Sequence, residues 1–163
     1  MLLHASTLTR ERFAPFGDVI ECAGARHYPI NAGTAQRYHD LAAIDVAEAN
    51  GRPALSIFAA QPVRANPVAL RLMERHPLAS QAFVPLARGR FLVVVAPPGD
   101  TLDAGALQAF LASAGQGVNY ARGVWHHPLL TLDDLTEFLV VDREGPGSNC
   151  DETPLPASIH VAF

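Results

Sequence analysis

Hydrophobic positions along the chain fall into short runs that alternate with polar residues, and turn-forming residues interrupt them at close intervals. Alternation over about four to eight residues is the pattern of a strand with one face buried. Short strands bounded by turn residues are expected at Phe16–Ile20, Gln36–His39, Leu55–Ala59, Gln81–Leu86, Arg90–Ala96, Val118–Tyr120, Val124–His126, Leu135–Val141 and Ile159–Ala162. Two segments read as helical. Thr9 can cap a short helix that runs to Ala14, where Pro15 and Gly17 stop it. From Asp103 to Ser113, residues Leu107, Phe110 and Leu111 fall at helical spacing, and Gly115 stands as a C-terminal stop.

Thirteen prolines and twelve glycines, spread along the chain, supply the breaks between elements. A parallel α/β fold would need a helix between most strands, and the intervals are too short for that. The expected class is therefore mainly β, a sandwich or barrel with a few short peripheral helices. No repeat, low-complexity tract or linker divides the sequence. A chain of 163 residues is expected to form one domain over 1–163, long enough to bury a real core.

Composition narrows the function. Nearly half the residues are apolar and 17% are charged, which is globular and not disordered. The net charge is −4 and no five like charges run together, so the basic face of a nucleic-acid binder cannot be assembled. All of the basic residues are arginine, a bias that genome composition explains before any preference for carboxylate ligands does. Two cysteines, Cys22 and Cys150, do not make a disulfide framework. Arg10, Glu11 and Arg12 occupy the stretch where a signal peptide would be apolar. The longest apolar run, Phe91 to Pro98, is too short to cross a bilayer. A cytoplasmic protein with no nucleic-acid and no membrane partner is expected.

Three segments place polar groups where a strand should be apolar. Asn31-Ala32-Gly33 is followed by Gln36-Arg37-Tyr38-His39-Asp40. In an extended chain Arg37 and His39 share a face, and together they could hold a carboxylate and handle a proton. On spacing alone the plainer account is a solvated edge strand with a turn before it. In Glu74-Arg75-His76-Pro77, an extended backbone projects Glu74 and His76 together and Arg75 away. That pair could ligate a metal or act as acid and base, although Glu-x-His also arises as a surface pair. The most specific segment is Gly117-Val-Asn-Tyr-Ala-Arg-Gly-Val-Trp-His-His-Pro-Leu129. Its glycines are expected to bracket a tight hairpin. Neighbouring residues on a strand point to opposite faces, so one of His126 and His127 is expected to be functional and the other structural.

These residues resemble known patterns. Glu74-x-His76-x4-Gln81, with Gly89 after it, is similar to the first cupin motif, and Gly117-x5-Gly123-x2-His126 to the second. Three positions depart from it: Glu74 stands for a His, Gln81 for a Glu, and Ala121 for a Pro. Arg37-Tyr-His-Asp40, Glu74-Arg-His-Pro-Leu78, Gln81-Ala-Phe-Val-Pro85, Gly117-Val-Asn-Tyr120, Val124-Trp-His-His-Pro-Leu129, Asp142-Arg143 and Ser148-Asn-Cys-Asp151 resemble the ureidoglycolate lyase family. They run in family order over nearly the whole chain, from Phe16-Gly-Asp-Val-Ile20 onward.

The resemblance implies a cupin-type jelly-roll β-barrel, a homodimer, and an enzyme of allantoin degradation that eliminates urea from ureidoglycolate to give glyoxylate. It also implies a divalent metal such as nickel. Glu74, His76, Gln81 and His126 are the expected catalytic group and, if a metal is bound, its ligands. Two imidazoles, one carboxylate and one neutral amide make a softer case than three His and a Glu, so elimination with and without metal both stay open. No organic cofactor is expected. Arg37 with Asn31 or Tyr120 is expected to bind the substrate carboxylate, within one chain or across the dimer, with His39 and Trp125 nearby. Two other readings remain. An amidohydrolase would release ammonia and carbon dioxide, and a non-catalytic cupin would only bind a small acid.

Overall fold

A computed structural model describes every residue except Leu135. Its centre is the strand Phe91–Ala96, six consecutive apolar residues buried on both faces. Phe91, Val93 and Val95 enter one hydrophobic core, and Leu92, Val94 and Ala96 enter a second on the other side. The strand therefore lies in the middle layer, which explains why its sequence is uninterrupted and not alternating.

Around it forms a seven-stranded sheet, with Asp151–Pro154, Leu72–Arg75, Trp125–His126, Phe91–Ala96, Gln108–Ala112 and Ser6–Thr7 in that order and Leu130–Thr131 also pairing Phe91–Ala96. A five-stranded antiparallel sheet packs over the first core, ordered Gly17–Ile20, Gly117–Tyr120, Gln81–Pro85, Glu137–Glu144 and Arg52–Ala59. The second core is closed partly by a small sheet of Leu2–His4, His160–Ala162 and Val68–Ala69. The mainly β, double-sheet architecture is that of a cupin-type fold.

Most of the expected strands form. The expected strand at Leu135–Val141 runs over Glu137–Glu144, its first residue lying outside the described residues. The short helix is Arg10–Phe13, capped by the Thr9 hydroxyl accepting from the Arg12 amide at 3.3 Å. Its one buried residue, Phe13, meets Phe110 edge to face at 5.8 Å.

Two expectations fail. Asp103–Ser113 is not a helix. Asp103 caps a single 3-10 turn at Ala104–Ala106, and Gln108–Ala112 is a strand. Phe110 and Ala112 pack in the first core while Leu107, Ala109 and Leu111 face the second. A strand apolar on both faces carries no period of two, so its spacing imitates a helix. Nor do Gly117 and Gly123 bracket a hairpin. Gly117–Tyr120 belongs to the five-stranded sheet and Trp125–His126 to the central one, so the chain crosses between layers at the Ala121–Val124 turn.

Candidate active site

Two rows of side chains face each other across the end of the first core. On the central sheet, His126 is opposite Glu74, Glu74 is opposite Glu152, and Val95 lies on the far side of His126. Cross-strand partners project to the same face, and Val95 belongs to the first core, so Glu74 and His126 face that space too. On the five-stranded sheet, Tyr120 is opposite Gln81. One step beyond the pair Val141 and Ala82, the same register sets Asp142 opposite Gln81. The rows are joined where the Tyr120 ring lies flat on the His126 imidazole, 4.1 Å between centroids and 11° between planes.

His76 enters from the turn after Leu72–Arg75, its ring 5.2 Å from that of His126. Each imidazole is oriented through Nδ1. In His126 that nitrogen donates to the Val124 carbonyl at 3.0 Å, and in His76 to the carbonyl of Asn149. A carbonyl only accepts, so each ring carries a proton on Nδ1 and leaves Nε2 to the site. Both Nε2 atoms are buried without a hydrogen-bond partner, as is Oε1 of Gln81. The Asn149 side chain reinforces the arrangement by accepting from the Leu78 amide at 2.8 Å, which ties the 149 loop to the turn that carries His76.

Burial drives the His126 pKa below the ordinary imidazole value, with the charge of His76 adding to the shift and Glu74 opposing it. Burial alone would raise Glu74, but contact with His126 and the charges of His126, His76 and His127 outweigh it, so the carboxyl lies below its usual range. Glu74 Oε1 is 3.4 Å from His126 Nε2. Burial, with a smaller contribution from Glu74, pushes the Tyr120 phenol upward, so it stays protonated. A cavity of about 500 Å³ opens onto Glu74 and is lined by Phe58, Phe83, Pro128 and Leu129.

The site thus brings together Glu74, His76, Gln81, His126 and Tyr120. His127 turns the other way, with Nδ1 donating to the Pro128 carbonyl at 2.8 Å and Nε2 accepting from the Arg71 amide at 3.4 Å. Trp125 also leaves the site. It packs in the second core, beneath the Arg75 guanidinium at 5.2 Å. Asn31 and Arg37 are exposed on a two-stranded hairpin, His27–Ile30 with Ala35–Tyr38, whose strands pair only with each other. His39 lines a separate pocket of about 490 Å³ with Arg10, Asp18 and Arg26. Sequence reasoning missed Asn149 and Asp142. For Asp142 a signal existed, because the inward alternation Phe138, Val140, Asp142 ends on a carboxylate.

The donor set fits a divalent cation. One carboxylate oxygen of Glu74 and one ring nitrogen each of His76 and His126 lie within 4.8 Å of one another, and three protein ligands leave positions open for substrate. Glu74 also falls within 4.8 Å of Cys150 and Glu152, at a more exposed flank.

Two imidazoles and a carboxylate between the sheets of a cupin-type fold form a cluster of the kind that proton transfer or metal-assisted chemistry uses. The ureidoglycolate lyase family profile matches residues 1–162. A ureidoglycolate lyase of Burkholderia cepacia is 59% identical over 163 residues, covering 99% of this chain and 91% of that protein. One of Pseudomonas aeruginosa (strain LESB58) is 53% identical over 150 residues, covering 92% and 88%. Among solved structures, a dTDP sugar isomerase from Desulfovibrio desulfuricans G20 aligns over 88% of this chain and 87% of its own, at 18% identity and a TM-score of 0.45. The chain belongs to the ureidoglycolate lyase family.

Proposed function

We propose that the protein is a carbon–nitrogen lyase that eliminates urea from ureidoglycolate and leaves glyoxylate, a cytoplasmic step in allantoin breakdown. The observation that carries this reading is the convergence of two imidazoles, whose Nε2 atoms are buried without a hydrogen-bond partner, with Glu74 beside a cavity. Ureidoglycolate bears a hydroxyl, a carboxylate and a ureido nitrogen on one carbon. Nε2 of His126 or His76 takes the hydroxyl proton. The oxygen becomes a carbonyl as the carbon–nitrogen bond breaks, its electron pair leaving on nitrogen. The imidazolium then returns the proton to that nitrogen, so urea departs neutral and no water is consumed. Glu74, 3.4 Å from His126 Nε2, stabilises the transient imidazolium.

A divalent cation such as nickel would be held by Glu74, His76 and His126, and would supply Lewis-acid stabilisation of the negative charge developing on substrate. Cation and proton compete for the same lone pairs, so loading is expected to rise with pH. The substrate carboxylate is assigned to Arg37 and Asn31 of a second copy of the chain, since both are solvent-exposed on their own hairpin. Exposed Leu55, Ile57 and Leu86 support a homodimer.

Purified protein incubated with ureidoglycolate is expected to form urea and glyoxylate in equal amounts. His126→Ala should bind less divalent metal by calorimetric titration and turn over at least about a hundredfold more slowly, with folding intact by circular dichroism. Near-normal turnover in that variant sinks the assignment. The three-ligand cluster would also suit hydrolysis of the ureido carbonyl, and release of ammonia in place of urea would establish that second reading.

A further inference from the structure

Within the site, the row on the five-stranded sheet has no role in the proton transfer. It runs Tyr120, Gln81, Asp142 across three neighbouring strands, one strand spacing of about 4.8 Å at each step. Its near end is fixed over the reacting group, because Tyr120 is stacked on His126. At its far end Asp142 lies opposite Gln81, one step beyond the pair Val141 and Ala82. Gln81 is buried, and its side-chain carbonyl oxygen has no donor. Asp142 itself is only half-buried, on the inward side of its strand with Phe138 and Val140. Burial holds its carboxyl above the usual value, opposed by the Gln81 hydrogen bond and the charge of His76.

Two acceptors side by side require two donors side by side. A ureido group supplies them: opposite its carbonyl, one N–H of each nitrogen points the same way, forming a parallel fork. We propose that Gln81 and Asp142 form the ureido subsite, Gln81 Oε1 accepting from the inner N–H and the Asp142 carboxylate from the terminal amide. The order follows from the row. The reacting carbon lies at the His126 end, the inner nitrogen comes next beside Gln81, and the terminal nitrogen is farthest, beside Asp142. Asp142 is thereby a specificity-determining residue that selects a terminal –NH2 over a methyl group. This assignment rests on the lyase reading above and adds to it the means by which the leaving group is recognised.

The test uses two unreactive ligands of nearly the same shape: ureidoacetate, which lacks only the substrate hydroxyl, and N-acetylglycine, which has a methyl in place of the terminal amide. Calorimetric titration of the wild-type protein should show ureidoacetate binding at least about tenfold more tightly, because the methyl offers no donor to the half-buried Asp142 carboxylate. In Asp142→Ala and Asp142→Asn that preference should shrink to about threefold or less, while glyoxylate, which has no ureido end, binds as before. Thermal unfolding of each variant checks that it is folded. Retention of the full preference in folded variants, or its absence in the wild-type protein while that protein still forms urea, overturns the subsite. A wild-type protein that forms no urea overturns the lyase reading itself.

Discussion

His126 is the most constrained side chain of the site: buried, stacked on Tyr120, tied to the Val124 carbonyl and facing Glu74. Its depressed pKa has a consequence for stability whose sign is fixed. Above an ordinary imidazole value of about 6.5, folded and unfolded chains both carry a neutral ring at this position and pH has no effect through it. Below that value the unfolded chain binds a proton that the folded chain resists, so stability falls as pH falls towards the lower folded value. Glu74 acts in the same direction further down. Its folded carboxyl stays ionised below the usual value, and the stability it contributes is lost as pH drops from about 4.5 through its depressed pKa. The urea midpoint of chelator-treated protein should therefore decrease between pH 7.5 and 5.5, and His126→Gln should show a flatter dependence over the same interval. An equal slope in that variant would place the titration elsewhere.

The same residues show what the sequence discloses about a site. Glu74, His76 and His126 were legible because strand alternation puts a carboxylate and an imidazole on one face and because a family-like string surrounds each. Trp125 was drawn in by adjacency, yet adjacency on a strand means the opposite face, and it packs in the second core. Arg37 and Asn31 have the right chemistry, but which surface a hairpin approaches depends on tertiary or quaternary placement that spacing does not encode. The alternation Phe138, Val140, Asp142 puts Asp142 on the inward face, but that it stands opposite Gln81 follows only from strand pairing.

At the scale of elements, the strand Gly17–Ile20 holds the outer edge of the five-stranded sheet through its pairing with Gly117–Tyr120. Gly17 pairs with Tyr120 at φ +139°, and a Cβ there would sit 1.9 Å from the Asn119 carbonyl oxygen. A side chain cannot be fitted without separating the strands that carry Tyr120 over His126. Gly17→Ala should thus cost on the order of 3 kcal/mol or more in urea denaturation and lower activity with it. A cost under about 0.5 kcal/mol, the usual effect of a surface change, would mean that the approach is not rigid.

Strands bounded by turn residues are readable even where both faces are buried, as Phe91–Ala96 and Gly117–Tyr120 show. Strands with one wet face announced themselves by alternation, as did the capped helix Arg10–Phe13 by its Thr9. Gln108–Ala112 reads as a helix because Leu107, Phe110 and Leu111, which pack into two different cores, fall at helical spacing. Very short strands such as Val68–Ala69 and Leu130–Thr131 exist only because longer neighbours pair with them, and two residues hold no period to read.

The whole molecule leaves one long edge open. Arg52–Ala59 is eight residues long, ends its sheet, and exposes Leu55 at 71% and Ile57 at 54% of their surfaces. A long edge with apolar side chains invites pairing with another chain. Light scattering should accordingly give twice the 17.4 kDa chain mass, and Leu55→Asp combined with Ile57→Lys should reduce it to that of a single chain. A wild-type protein that is monomeric at micromolar concentration would refute the dimer. No helix among the described residues is long and apolar enough to cross a membrane.

The doubly buried strand Phe91–Ala96 governs how these layers come apart. Because its alternate side chains belong to different cores, neither compartment has a private wall, and loosening the back of the molecule withdraws Val95 from beside His126 as surely as it releases Val94. The catalytic end cannot stay assembled while the rear layer melts. Partial unfolding that spares activity is thereby closed to this architecture, and loss of function on heating should coincide with loss of the fold.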